Sequence, residues 1–186
     1  MRYLKLDLHT HPFEALGFPS PSIDVVAKII RQVKRLGLDG IAITEHEEKL
    51  YGFKAAEIAR EYFPEVIIIP GVEIEVNGIG PATHRQVVEL YLNDKVFRFQ
   101  VHPYDERPEI LVTCQGIEIK NYLHKEIDEE LALQLASKFS LLPLRNSDAH
   151  RLEDIGKYYN VVSLELLYSK SLPRPSIASR NAKSFH

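Results

Sequence analysis

Eight histidines occur in this chain of 186 residues, and six of them fall beside carboxylates or at the ends of apolar segments. The runs are His9-Thr10-His11, Thr44-Glu45-His46, Pro70-Gly71-Val72-Glu73, Thr83-His84, Val101-His102-Pro103 and Asn146-Ser147-Asp148-Ala149-His150. On an extended chain, imidazoles two residues apart project to the same side, so His9 and His11 can share one metal ion. Imidazole and carboxylate without thiolate is the donor set of Zn, Mn or Fe sites that do hydrolytic work. Cys114 is the only cysteine, which excludes a Cys-based structural zinc site and an internal disulfide framework. Six histidines with Glu73 and Asp148 exceed the needs of one ion. Two or three divalent metals are expected, with a carboxylate bridging a pair about 3.5–4 Å apart. Such a pair acidifies bound water and clamps the oxygens of a phosphoryl group under in-line attack.

These residues lie up to 140 positions apart, so the elements between them must bring them together. Tyr3–Leu8 alternates like a strand. Ser20-Pro21-Ser22 starts a helix carrying Ile23, Val26, Ile30 and Val33, with Gly37 as its stop. A short strand over Gly40–Thr44, a helix over Phe53–Phe63 closed by Pro64, and a buried strand over Val66–Ile69 follow. Pro70-Gly71-Val72-Glu73 reads as the end of that strand, the glycine allowing a tight turn before the carboxylate. Gln86–Leu92, Val96–Val101 and Gly116–Lys120 read as extended. Glu126–Phe139 reads as an amphipathic helix with Ile127, Leu131, Leu135 and Phe139 on its apolar face. Strands at Leu141–Leu144 and Val161–Leu164 close the pattern. Alternation of this kind predicts one α/β domain with parallel strands, whose carboxyl ends converge on one rim.

Composition sets bounds on that picture. Hydrophobic residues make up 45% and charged residues 26%, with a net charge of −3. This is globular usage, and it argues against a binder of long nucleic acid. No apolar run approaches the length of a membrane span and no signal-peptide pattern opens the chain, so a cytoplasmic protein is expected. Residues 1–168 form the expected domain; 169–186, rich in Ser, Pro and Arg, read as a loose or peripheral tail.

In their order, His9-Thr10-His11, Thr44-Glu45-His46, Gly71-Val72-Glu73, His102-Pro103 and Ser147-Asp148-Ala149-His150 resemble the motifs of the PHP (polymerase and histidinol phosphatase) domain. Gly116-Ile117-Glu118-Ile119-Lys120-Asn121 and Ile155-Gly156 extend the likeness, which covers residues 3–165. The resemblance implies a distorted seven-stranded (β/α) barrel with up to three metals at its rim. It implies a first metal held by His9, His11, Glu73 and Asp148, a second by Glu73, His102 and His84, and a third by His46 and His150. Glu14 stands at an unusual offset where small PHP proteins complete the third site, and Glu45 replaces a typical Asp. The arginine expected just after His102-Pro103 is missing; Arg107, Arg145 and Arg151 are the nearest candidates for phosphate contact. The remaining histidine near the motifs, His124, reads as a solvated residue at a helix start.

The expected activity is metal-dependent hydrolysis of a phosphate ester, a small phosphomonoester or a nucleotide, by hydroxide held between the metals that Glu73 bridges. His46 or His150 would protonate the leaving oxygen. The alternatives are a nuclease or nucleotide phosphodiesterase on the same site, hydrolysis of an amide, and a non-catalytic, metal-stabilised regulatory module. The expected partner is a small phosphorylated substrate.

Overall fold

The computed structural model describes residues 2–77, 84–103 and 109–174. Arg107 and the segment 175–186 lie outside the described residues.

Leu4, Leu6 and Leu8 bring the first strand, β1 (Leu4–Asp7), into the core. Helix α1 (Ile23–Arg35) begins where Ser22 Oγ accepts the Val25 N–H at 3.3 Å, and it buries Val26, Ile29, Ile30 and Val33 at helical spacing. Strand β2 (Gly40–Ile43) is wholly buried. Helix α2 spans Leu50–Tyr62, starting three residues before the point that the sequence suggests. Strand β3 (Ile67–Asn77) is the longest strand among the described residues. It is followed by β4 (His84–Leu92), β5 (Lys95–Gln100) and β6 (Gly116–Asn121). Helix α3 covers Glu129–Lys138, shorter than its apolar pattern, because Asp128 caps it by accepting the Leu131 N–H. Its buried positions are Ala132 and Ala136, while Phe139 stays exposed at the C-cap. Strand β7 (Leu142–Asn146), β8 (Asn160–Val162), helix α4 (Leu164–Lys170) and the two-residue β9 (Leu172–Pro173) complete the chain. Ser169 and Lys170 thus finish a helix, and β9 pairs with β5.

The strands lie in the order β7-β6-β5-β4-β3-β2-β1-β8, so the sheet follows the chain and curls on itself as one α/β domain. Pairs β1–β2, β2–β3, β5–β6 and β6–β7 are parallel, whereas β3–β4, β4–β5 and β1–β8 are antiparallel. The expected distorted barrel is therefore present with a mixed sheet. Its two ends are joined just beyond β1 and β7: Asp148 N donates to His9 O at 2.9 Å, His11 N to Ala149 O at 2.9 Å, and Leu8 N to Asn146 Oδ1 at 3.1 Å. The Asn160 side chain closes the seam further by donating to Arg145 O and Asn146 Oδ1 and accepting from Arg145 N. This seam brings the late motif against the first one. No helix among the described residues is long and apolar enough to cross a membrane.

Gly71 does not turn the chain. It lies inside β3, and a Cβ there would sit 2.8 Å from Thr44 Cγ2 and 2.9 Å from the Glu89 carbonyl oxygen. Gly52 of α2 packs against the same point, its missing Cβ being 3.1 Å from Gly71 N. The two glycines let α2, β2 and β4 close around β3 two residues before Glu73. Gly71→Ala is expected to cost about 1–3 kcal/mol through overpacking, read as a lower midpoint in urea unfolding. An unchanged midpoint would mean that the sheet can open there without penalty.

Candidate metal centre

The motif strand ends are locked to each other by backbone bonds. Thr44 N donates to Thr10 O at 2.9 Å, and Thr10 N reaches Thr44 Oγ1 at 3.1 Å, which sets the β1 and β2 ends in register. Glu47 N donates to Glu73 O at 2.8 Å, so the carboxylate of β3 is pinned beside His46. Asp148 and His102 sit in left-handed backbone, with φ of 53° and 34°. Such conformations are unfavourable for residues with a Cβ and persist where the surroundings impose them, characteristically at functional sites. Here they aim both side chains inward.

The result is a buried cluster. His9 Nε2 lies 3.2 Å from Glu73 Oε2 and 3.4 Å from Asp148 Oδ1; His11 Nε2 lies 3.3 Å and 3.2 Å from the same two atoms. His102 Nε2 takes the other oxygens, 3.2 Å from Glu73 Oε1 and 3.5 Å from Asp148 Oδ2. Each carboxylate therefore faces two groups of imidazoles with its two oxygens, as a bridging ligand does. For a tetrahedral ion with ligands at about 2.0–2.1 Å, donor atoms stand about 3.3–3.4 Å apart, the spacing seen in this cluster. Within the protein, Glu73 Oε1, Asp148 Oδ1 and both His11 ring nitrogens are buried without a well-formed hydrogen bond. Buried polar atoms are rarely left so, and donor atoms that converge without satisfying one another fit a bound cation. The residues present fit a divalent metal centre.

A more open group adjoins it. His46 and His150 face each other with their Nε2 atoms 3.2 Å apart, and Glu14 Oε2 lies 3.9 Å and 3.8 Å from them. His46 is 43% exposed and His150 29%, whereas His9, His11, Glu73 and Asp148 are closed to solvent. His46 Nδ1 also approaches Glu73 Oε2 at 3.1 Å, which links the open group to the buried one.

The charges follow this layout. Burial works against ionising Glu73 and Asp148, but the surrounding His9, His11 and His102 imidazoles hold Glu73 far below the usual carboxylate range, and His9 and His11 hold Asp148 below it. Burial likewise opposes a charge on His9, yet Asp148, Glu73 and Glu118 raise it well above an ordinary imidazole; His11 is raised by Asp148 and Glu73. His46 moves the other way, lowered by burial and by the neighbouring His11 and His150 despite Glu73. Glu45, which accepts the Phe13 and Glu14 N–H groups at 2.7 and 3.2 Å, is pushed by burial up to about 7. Its extra methylene lets it fix the turn that carries Glu14.

The structure brings His9, His11, Glu73, Asp148, His102, His46, His150 and Glu14 to one place. His84 begins β4 opposite Asn77, four positions along β3 from Glu73, and its side chain lies outside the described residues. Arg145 turns onto α3 and pairs with Glu129 at 2.8 Å, and Arg151 pairs with Glu153. His124 corrects the sequence reading. It is not simply solvated: its Nε2 stands 3.6 Å from Asp148 Oδ2, its ring is 4.3 Å from that of His102, and the three residues form a further possible ligand group. Glu118 and Asn121 also reach the cluster. The signal for all three is Glu118-Ile119-Lys120-Asn121-Tyr122-Leu123-His124, another strand end with polar residues at regular spacing. A groove of about 880 Å³ between α2, β3 and α4, lined by Phe53, Ile67 and Leu164 among others, has no residue of the cluster in its walls.

Comparison with known proteins adds the following. A family model described as PHP-associated matches residues 126–170. An uncharacterized protein of Methanocaldococcus jannaschii is 29% identical over 100 residues, covering 50% of this chain and 53% of its own length. A two-domain protein of Bacteroides vulgatus containing a predicted PHP-like metal-dependent phosphoesterase shares the fold, with a TM-score of 0.54, 20% identity, and coverage of 81% of this chain and 53% of that one. An amidohydrolase of Chromobacterium violaceum, with bound sulfate and no metal, aligns with a TM-score of 0.61 and 15% identity over 94% and 99% of the two chains. The chain thus spans about half the length of the curated relative and of the Bacteroides protein. The chain is thus similar to a PHP-associated family in its C-terminal part, and it shares the fold of a protein that contains a PHP-like domain.

Proposed function

We propose that this protein is a metal-dependent hydrolase acting on a phosphate ester, a small phosphomonoester or a nucleotide. One observation carries the reading: Glu73 and Asp148 each point their two oxygens at two adjoining groups of imidazoles, the arrangement that shares two neighbouring cations. His9, His11, Glu73 and Asp148 would hold one ion. Glu73, Asp148, His102 and His124 would hold its neighbour, with His124 in the place expected of His84. Divalent ions bound there supply Lewis-acid charge and acidify water at neutral pH. The protein's own groups do the rest. The buried walls keep bulk water from the inner cluster, and Asp148 and His102 are fixed by their backbone. His46 and His150, half-open and sharing the space between their Nε2 atoms, can hold one proton there and pass it to a leaving oxygen. With Glu14 they can instead hold a third ion.

The test is turnover of p-nitrophenyl phosphate and a panel of phosphomonoesters and nucleotides by metal-free protein reloaded with Zn²⁺, Mn²⁺ or Fe²⁺. Activity with at least one metal, abolished in folded Asp148→Ala, is expected. Metal-loaded protein inert toward the whole panel would sink the proposal. The likeness to an amidohydrolase favours amides as a second substrate class, so the panel includes N-acyl amides. Turnover of amides alone would move the assignment.

A further inference from the structure

Glu118 is fully buried within β6, and its carboxylate oxygens meet four nitrogens. Oε1 meets His9 Nδ1 at 3.0 Å and Asn146 Nδ2 at 2.9 Å. Oε2 meets the His102 backbone N–H at 3.1 Å and Asn121 Nδ2 at 3.0 Å. The other partners of the two amides fix their orientations. Asn121 Oδ1 accepts the backbone N–H groups of Leu123 and His124, and Asn146 Oδ1 accepts the Leu8 backbone N–H and the Asn160 side-chain Nδ2. Each Nδ2 therefore faces Glu118 as a donor. Three obligatory donors leave one acceptor position, and His9 Nδ1 occupies it. A proton placed between them belongs on Nδ1, which leaves the Nε2 lone pair directed at Glu73 and Asp148.

We infer that Glu118 is a positioning residue that prepares two neighbouring metal positions at once: through Oε1 it fixes His9 with Nε2 free to ligate, and through Oε2 it holds His102 and, by way of Asn121, Asp148. Asn121 Nδ2 lies 3.2 Å from Asp148 Oδ2, so the second chain of contacts reaches a shared carboxylate. The contact with the His102 N–H steadies a residue in left-handed backbone. Glu118 has no direct contact with Glu14, His46 or His150. Its influence therefore falls first on the buried positions and reaches the open group only through Glu73 and Asp148, a gradient that a general loss of stability would not reproduce. The inference rests on the metal-centre reading. Hydrogen-bonded partners of ligating histidines typically contribute about 10–100-fold in metal affinity. Glutamine in this place must turn an N–H₂ toward one pair of donors, which breaks either the His9 or the His102 arm.

The experiment has two parts. Zn²⁺-loaded wild-type protein with ¹⁵N-labelled histidine should show His9 protonated at Nδ1 and ligated through Nε2. His9 ligated through Nδ1 would overturn the inference without any variant. Calorimetric Zn²⁺ titration of metal-free wild type and Glu118→Gln should then show the buried positions weakened about 10–100-fold, and binding at the His46–His150 group much less affected. A folded Glu118→Gln that binds Zn²⁺ as the wild type does would also overturn it. Wild-type protein that takes up no Zn²⁺ would instead overturn the metal-centre reading itself.

Discussion

Glu73→Gln is expected to lower kcat/KM for an aryl phosphate by well over a hundredfold and to reduce the number of ions bound. The substitution keeps the side-chain volume but replaces one oxygen by a group that cannot ligate. Both oxygens are in use, Oε2 toward His9, His11 and His46 and Oε1 toward His102. Whichever way the amide turns, one group of imidazoles loses its shared acid. Removing a mere hydrogen-bonding partner of a ligand costs about 10–100-fold in metal affinity or activity, and the loss of the shared ligand itself exceeds that. Steady-state kinetics with metal analysis of the purified variant checks this. A Glu73→Gln enzyme with full turnover and unchanged metal content would show that the carboxylate is not shared.

Metal-free protein is expected to lose stability as pH rises from about 6 to 9, and added Zn²⁺ to reverse the trend. The sign comes from both partners. His9 and His11 have folded-state pKa values raised above the ordinary 6.5, so their contribution is complete below 6.5 and is lost as pH climbs through the raised values. Glu73, Asp148 and Glu118 are depressed, so theirs is present above the ordinary carboxylate range and is lost only on acidification. Burial raises Asp7 to about 6 and Glu45 to about 7, so the cost of ionising them inside the fold builds up from the ordinary carboxylate range to those values and favours the acid side of the optimum. The metal-free optimum therefore lies at about pH 4.5–6.5, between the ordinary carboxylate and imidazole values. Above it, deprotonated imidazoles leave carboxylates buried without a countercharge, a defect of about 3–5 kcal/mol for a broken buried pair. At 2–4 °C per kcal/mol for a chain of this size, the melting temperature should fall by roughly 6–20 °C. Zn²⁺ at a thousandfold excess over its dissociation constant restores about 4 kcal/mol, more effectively at high pH because ligation requires neutral imidazole. Melting curves at pH 6 and 9, with and without Zn²⁺, decide the matter. A metal-free protein that melts at the same temperature at both pH values would contradict the charge layout.

Much of the site was legible before the fold, because its residues announce themselves by type and local spacing. His9-x-His11 needs only an extended backbone to point two rings the same way. Asp148-x-His150 and Thr44-Glu45-His46 follow strands whose apolar content is evident. Helix α1 was legible for the same local reason, with Ser22 as cap and four apolar residues at helical spacing. Other elements were not. Helix α2 starts at Leu50 without a side-chain cap, so nothing local marks it. Gly71 reads locally as a turn, but its role is set by Thr44, Glu89 and Gly52 packed around it from three other elements. His124 next to Lys125 looks like surface until β6 is placed beside β7, where Asp148 comes within reach.

The sequence by itself determined which residues could bind metal, that they stand at or near strands, and that the chain alternates strand and helix. These are properties of side-chain chemistry and short-range periodicity, written within a few residues of each other. Only the tertiary structure decided which donors meet. The seam between β1 and β7 and the burial of Glu118 beside it depend on contacts across more than a hundred residues. A carboxylate's partners there are fixed by packing and by the cost of leaving a charge unpaired in a dry interior, and no local pattern records that cost.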